Sequence, residues 1–186
     1  MSDQLWHSLL PDKSGYTPWL ADRGSLTLRI QKRCDLFRVA SVRIQLMSAT
    51  HDETRLLGVP LRQRVYTREV LLIADDKPVV FAHSVVATQH LRGPWHKLRT
   101  LGNRPLGGML FSHPLVQRAP LHYRMLKKDH PLYRRAAAAL ENAPARLYAR
   151  RSLFTLHGAP LLVTEIFLPE ILRLRTAGPV ERHASV

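Results

Sequence analysis

Apolar and polar positions alternate along much of this chain, mostly with a period of two. Residues 25 to 33 (SLTLRIQKR) set Leu26, Leu28 and Ile30 against Thr27, Arg29 and Gln31, which predicts a half-buried strand. Residues 37 to 46 (FRVASVRIQL) alternate too, but slip phase around Ala40 and Val42, so a bulge is expected there. The runs RVYTREVLLIA and PVVFAHSVVA flank Asp75-Asp76-Lys77 and predict a long β-hairpin. RLYARRSLFTL and LLVTEIFLP flank His157-Gly158 and predict a second. Residues 116 to 126 predict one more strand.

Helical signals are fewer. Thr17 as N-cap with Pro18 at N1 predicts a short first helix ending near Gly24. Residues 95 to 101 predict another, and GNRPLGGML is a turn leading into a helix or strand at Met109 to Phe111. Residues 131 to 141 carry an alanine run and predict a helix. Residues 48 to 60 read as a polar loop, and 170 to 186 as a fraying tail. The expectation is one α+β domain over residues 1–186. It holds a mostly antiparallel sheet of about six strands, with helices packed on one side.

Composition narrows the picture. The 45% apolar share is ordinary for a globular chain, and no stretch approaches the length of a membrane span. The opening MSDQLWHSLL is polar and carries an acid, so it reads as neither a secretory signal nor a transit peptide. Cys34 is the only cysteine, which excludes an internal disulfide. A cytoplasmic setting is expected. The 28 Lys+Arg against 14 Asp+Glu give a net charge of +14, which invites nucleic acid, an anionic membrane surface or a carboxylate substrate. Tyr123, Tyr133 and Tyr148 fall within the basic stretch 118–151 in the interleaving that nucleic-acid binders use, but no specific nucleic acid is expected. The plainer reading of that stretch is a solvated helical face.

Several chemistries lack their signatures. Ten histidines occur without HxxxH or CxxC spacing, so no metal site is expected. Neither a GxSxG elbow nor a phosphate-loop spacing occurs, and Cys34 reads as an ordinary strand-end cysteine. Gly102, Gly107 and Gly108 would still let backbone amides approach an anion. Charges inside strands say more. Arg68 and Glu69 precede VLLIA, and Glu165 interrupts LLVTEIFLP on the face of Val163 and Phe167. A carboxyl among apolar neighbours is a candidate proton donor, and an arginine nearby could anchor a substrate carboxylate. A structural Arg–Glu pair across adjacent strands explains the same residues, and spacing does not choose.

REVLLIADDKPVVFAHSVV, LGNRPLGGMLF, LYARRS and GAPLLVTEIFLP together resemble chorismate pyruvate-lyases in order and relative spacing, over roughly residues 15 to 170. The resemblance implies a six-stranded antiparallel sheet with buried ligand sites closed by flaps. It implies conversion of chorismate to 4-hydroxybenzoate and pyruvate for ubiquinone biosynthesis, without metal or cofactor. It matches Arg68 to the family's substrate-binding arginine and Glu165 to its essential glutamate. Leu106 matches the PLG leucine whose amide meets the ligand carboxylate, with Gly107 beside it. Leu26 stands where the family usually has a methionine near the ligand, and His83 replaces an arginine at a candidate carboxylate contact. The segment 122–145 is longer than usual. Implied partners are chorismate and 4-hydroxybenzoate; the protein is expected to be a monomer with weak affinity for anionic membranes. The alternative is a non-catalytic effector-sensing domain of the same fold. Such regulators carry a DNA-binding helix-turn-helix, for which the about 15 to 25 residues before the first expected strand are too few.

Overall fold

The computed structural model describes residues 5–11 and 13–174. Strand β1 (Phe37–Ser48) pairs with β2 (Arg64–Ala74), and their register shifts between Ala40 and Arg43, where Ser41 has φ +51°. This is the expected bulge. Strand β3 (Lys77–Ala87) follows β2 through Asp75 and Asp76, at φ +46° and +62°. After β4 (Gln117–Arg118) and β5 (His122–Lys127), β6 (Arg146–Leu156) and β7 (Ala159–Phe167) turn through His157 and Gly158, at φ +49° and +75°. Positive φ at both central residues gives a turn whose twist matches the flanking strands, so both expected hairpins form.

The strands make one antiparallel sheet in the order β1-β2-β3-β7-β6-β4, with β5 also paired to β6. Seven strands therefore replace the expected six. The single strand anticipated over 116–126 is interrupted at Ala119-Pro120, since proline has no amide for the ladder. Its two pieces, β4 and β5, lie along the same edge of β6, opposite Phe154–Thr155 and Arg146–Arg151.

Two helices stand where other structure was expected. Residues 25 to 33 are not a strand: α2 (Leu26–Gln31) follows the short α1 (Thr17–Ala21). Ser25 Oγ accepts from the Leu28 amide, and Leu26 and Ile30, four apart, face inward together. The polar loop contains α3 (His51–Leu57), held by a capping box in which Thr50 caps the first turn and Glu53 Oε2 accepts from the Thr50 amide at 2.8 Å. The helix at residue 109 is α4 (Leu106–Ser112), and α5 (Pro131–Ala137) fills the predicted helical segment. Helix α1 is capped by Tyr16 rather than Thr17.

Cover on both faces replaces the expected cover on one. Trp19, Leu20, Leu26 and Ile30 of α1 and α2 pack on Val70, Leu72, Val80 and Phe167. Leu106 and Leu110 of α4, with Trp95 and Leu98, pack beside them on Tyr66, Val86, Leu161 and Val163. On the far face, Leu57 of α3 meets Val65, Val85 and Leu162. Leu132, Tyr133 and Ala136 of α5 meet Phe81, Leu147 and Ile166 there. The central strands are apolar in both directions, so each face needs a lid. Past the sheet, residues 169–173 form a 3₁₀ turn whose Ile171 is fully buried. Order thus runs further than the expected fray point; the rest of that tail, 175–186, lies outside the described residues.

Candidate active site

Side chains alternate across a sheet, so the register decides which charges meet. Arg68, Ser84, Val163 and Ser152 are successive partners across β2, β3, β7 and β6. The neighbouring row is Val70, Ala82, Glu165 and Arg150. Both rows face α2 and α4. Between sheet and helices lies a cavity of about 50 Å³, lined among others by Leu26, Arg68, Leu106, Gly107, Arg118 and Glu165.

Arg68 is 2% exposed. Its Nη2 donates to the carbonyls of Gly102 (2.9 Å) and Arg104 (3.0 Å), while its buried Nε has no acceptor among the described residues. The side chain thereby pins the loop that leads through Pro105 into α4. Gly102, at φ +54°, makes the turn of that loop at little steric cost. Leu106 and Gly107, in the first turn of α4 where amides have no intrahelical partners, line the same cavity. Gly107 approaches α2 closely: a Cβ there would stand 3.2 Å from Ser25 Oγ and 3.3 Å from Thr27 Oγ1, tighter than an ordinary contact. Burial pushes Arg68 below the usual arginine value, which raises the gain from an anion beside it.

Glu165 meets the cavity from the adjacent row. Its Oε2 accepts from Nε of its cross-strand partner Arg150 at 2.5 Å. Arg150 is fully buried, and its Nη1 donates to the carbonyls of Trp19 and Asp22. A cross-strand Arg–Glu pair therefore borders the cavity, but it joins Glu165 to Arg150 and does not involve Arg68. Arg118 completes the charged lining: Nε donates to Ser152 Oγ at 2.9 Å and Nη1 to the Arg23 carbonyl at 2.6 Å.

The sequence-derived residues Arg68, Leu106, Gly107, Leu26 and Glu165 converge on this cavity, Leu26 from a helix instead of a strand. His83 does not. It pairs with Glu69 in register and so points to the far face, where Nδ1 lies 2.9 Å from Glu69 Oε1 and Nε2 3.0 Å from Glu53 Oε1. Flanked by two carboxylates, it is no site for a third. Burial alone would lower its pKa, but the two glutamates outweigh burial and hold it above the ordinary histidine value. Arg135 of α5 also reaches Glu69, at 2.8 Å.

Sequence reasoning missed Arg118 and Arg150 by reading the basic stretch as a solvated face. Arg150 and Arg151 are in fact largely buried, and Arg118 lines the cavity. The signal was in RLYARRS: Arg150 shares the period-2 face of Tyr148, Ser152 and Phe154. Among the described residues no group of three or more His, Cys, Asp or Glu side chains is placed to hold a metal ion, and no helix is long and apolar enough to cross a membrane.

Residues 10–176 match the sequence profile of the family described as Chorismate lyase. The chain belongs to the chorismate lyase family. The probable chorismate pyruvate-lyase of Nitrosomonas europaea is 52% identical over 156 residues, spanning 84% of this chain and 88% of that one. That of Nitrosospira multiformis is 48% identical over 174 residues, spanning 91% and 95%. Among solved structures, the effector domain of PhnF from Mycobacterium smegmatis superposes with TM-score 0.58 at 18% identity, covering 79% of this chain and 90% of its own. The C-terminal domain of a histidine utilization repressor from Pseudomonas syringae gives 0.52 at 16%, covering 77% and 97%. At such identities the likeness is one of fold, so this chorismate lyase family member shares its architecture with effector domains.

Proposed function

We propose that the protein is a chorismate pyruvate-lyase that converts chorismate to 4-hydroxybenzoate and pyruvate in the cavity between the sheet and α2–α4. One observation carries the site: a buried arginine with an unmet Nε and a glutamate held by a buried arginine line the same cavity. The ring carboxylate accepts from Arg68 and from the Leu106 and Gly107 amides, a charge-assisted arrangement. Glu165 lies two strands across and one row along from Arg68, about 12 Å between Cα atoms by sheet spacing. With both side chains reaching inward, one six-membered ring fits between them, its hydroxyl at Glu165 Oε1. Leu26 and Val70 close over the ring faces.

The chemistry needs geometry and proton handling more than electrophilic force. The ether bond between ring and enolpyruvyl oxygen breaks, and its electron pair leaves on that oxygen. The proton on the hydroxyl-bearing ring carbon departs, and its electrons complete the aromatic ring. The enolpyruvyl methylene takes up a proton and becomes the methyl group of pyruvate, so atoms balance without a co-reactant. Glu165 Oε1 is the base at the hydroxyl end, and Arg150 fixes its orientation.

Purified protein incubated with chorismate in EDTA, without added cofactor, should yield 4-hydroxybenzoate and pyruvate in equal amounts. No turnover, with 4-hydroxybenzoate still bound, would favour the second reading, a small-acid sensor, which the likeness to regulator effector domains supports. The first reading also puts the protein in the cytoplasm as a monomer, supplying ubiquinone biosynthesis, with its +14 charge giving weak affinity for anionic membranes. Sedimentation, with and without anionic liposomes, checks the monomeric state and the membrane affinity.

A further inference from the structure

Chorismate carries two carboxylates, and Arg68 with the α4 amides accounts for only one. Glu165 repels the other. The remaining cation on the cavity wall is Arg118, and we infer that Arg118 holds the enolpyruvyl carboxylate. This inference rests on the lyase reading and names a further substrate contact for the same site.

The geometry of Arg118 is that of a held ligand group, not a surface charge. It sits on β4, opposite Phe154, at the edge of the sheet. Its guanidinium caps the edge-to-face pair Phe111 and Phe154, 5.4 and 5.3 Å from the ring centroids, which holds it at the cavity edge. Nε is used on Ser152 and Nη1 on the Arg23 carbonyl. Neither of those bonds uses Nη2, and the residue lines the cavity. Arg68 and Ser152 end one cross-strand row, three strand spacings or about 14 Å apart. Arg118 reaches Ser152 from the strand beyond it, so the two guanidinium groups approach the cavity from opposite ends. Glu165 enters between them from the next row. Chorismate has a ring carboxylate, a hydroxyl para to it and an enolpyruvyl carboxylate branching from the carbon beside that hydroxyl, one group for each of the three charges.

The assignment separates substrate from aromatic product. 4-Hydroxybenzoate keeps the carboxylate for Arg68 and the hydroxyl for Glu165, but leaves Arg118 empty. Once the ether bond breaks, Arg118 retains only pyruvate, a small anion held by a single cation.

The test compares Arg118→Gln and Arg118→Lys with the parent protein, measuring dissociation constants for 4-hydroxybenzoate and chorismate, the latter before turnover by rapid mixing. Arg118→Gln should weaken chorismate about tenfold to a hundredfold and leave 4-hydroxybenzoate within about twofold. Arg118→Lys should recover part of the loss. Inhibition of the parent enzyme by added pyruvate should weaken in both. A merely structural role, through the Arg23 carbonyl and Ser152, would weaken both ligands alike, and that result overturns the inference. Unchanged chorismate affinity does so too. Should Arg118→Gln fail to fold, the same ratio of affinities is read on Arg118→Lys and must still fall. Because binding carries the test, absence of turnover in the parent protein would sink the lyase reading without deciding this one.

Discussion

Arg150 and Glu165 face each other across β6 and β7, and Nε of the fully buried arginine donates to Oε2 of the glutamate at 2.5 Å. The same arginine binds the carbonyls of Trp19 and Asp22, so one side chain orients the glutamate and ties α1 to the sheet. Arg150→Met should therefore cost about 3 kcal/mol of stability, as expected when one partner of a buried pair is removed. It should also reduce kcat more than it raises KM, since Glu165 loses its orientation. Chemical denaturation and steady-state kinetics check the two halves separately.

Arg68→Ala removes the cation at the other end of the cavity. Both chorismate and 4-hydroxybenzoate should bind at least about tenfold more weakly, because both present the carboxylate that Arg68 receives. Titration of each ligand by calorimetry reads this directly. A loss confined to chorismate would place the ring carboxylate elsewhere.

His83 should behave as structure and not as site. Its pKa is raised in the folded protein, so the stability it contributes is complete below 6.5, its ordinary value, and is lost as pH rises through the folded value. Burial of Glu53 and Glu69 would raise them, but hydrogen bonds from His83 outweigh that and lower both. Their contribution is complete above 4.5 and lost as pH falls through their folded values. Stability from this network is therefore greatest between about 4.5 and 6.5. His83→Gln should flatten the alkaline fall and cost about 3 kcal/mol, leaving 4-hydroxybenzoate affinity unchanged. Melting temperature against pH, with one binding titration, is the check. Altered affinity in the variant would reconnect the far face to the cavity.

The fold was legible where a local rule had no rival. Asp75-Asp76 and His157-Gly158 stood between long apolar runs, and both became tight hairpin turns. Residues 25 to 33 had a rival: Leu26 and Ile30 satisfy helical spacing as well as alternation, and the Ser25 cap decides the contest. The Thr50-x-x-Glu53 capping box starts α3 inside a stretch whose polarity alone reads as a loop. Within the site, Arg68 and Glu165 were visible as charges in apolar strands. That Arg150 partners Glu165, and that His83 turns away from the cavity, depends on strand order and register, which no local pattern encodes.

The most direct test of the cavity as the reaction centre is turnover by Glu165→Gln beside the parent protein, with 4-hydroxybenzoate and pyruvate measured in the same samples. Glutamine still offers an oxygen to Arg150, so the variant should keep its fold and bind 4-hydroxybenzoate. Its turnover should drop about a hundredfold or more, the range of a lost acid–base group, while the parent makes both products in equal amounts. A folded Glu165→Gln variant that turns chorismate over at the parent rate would contradict the account.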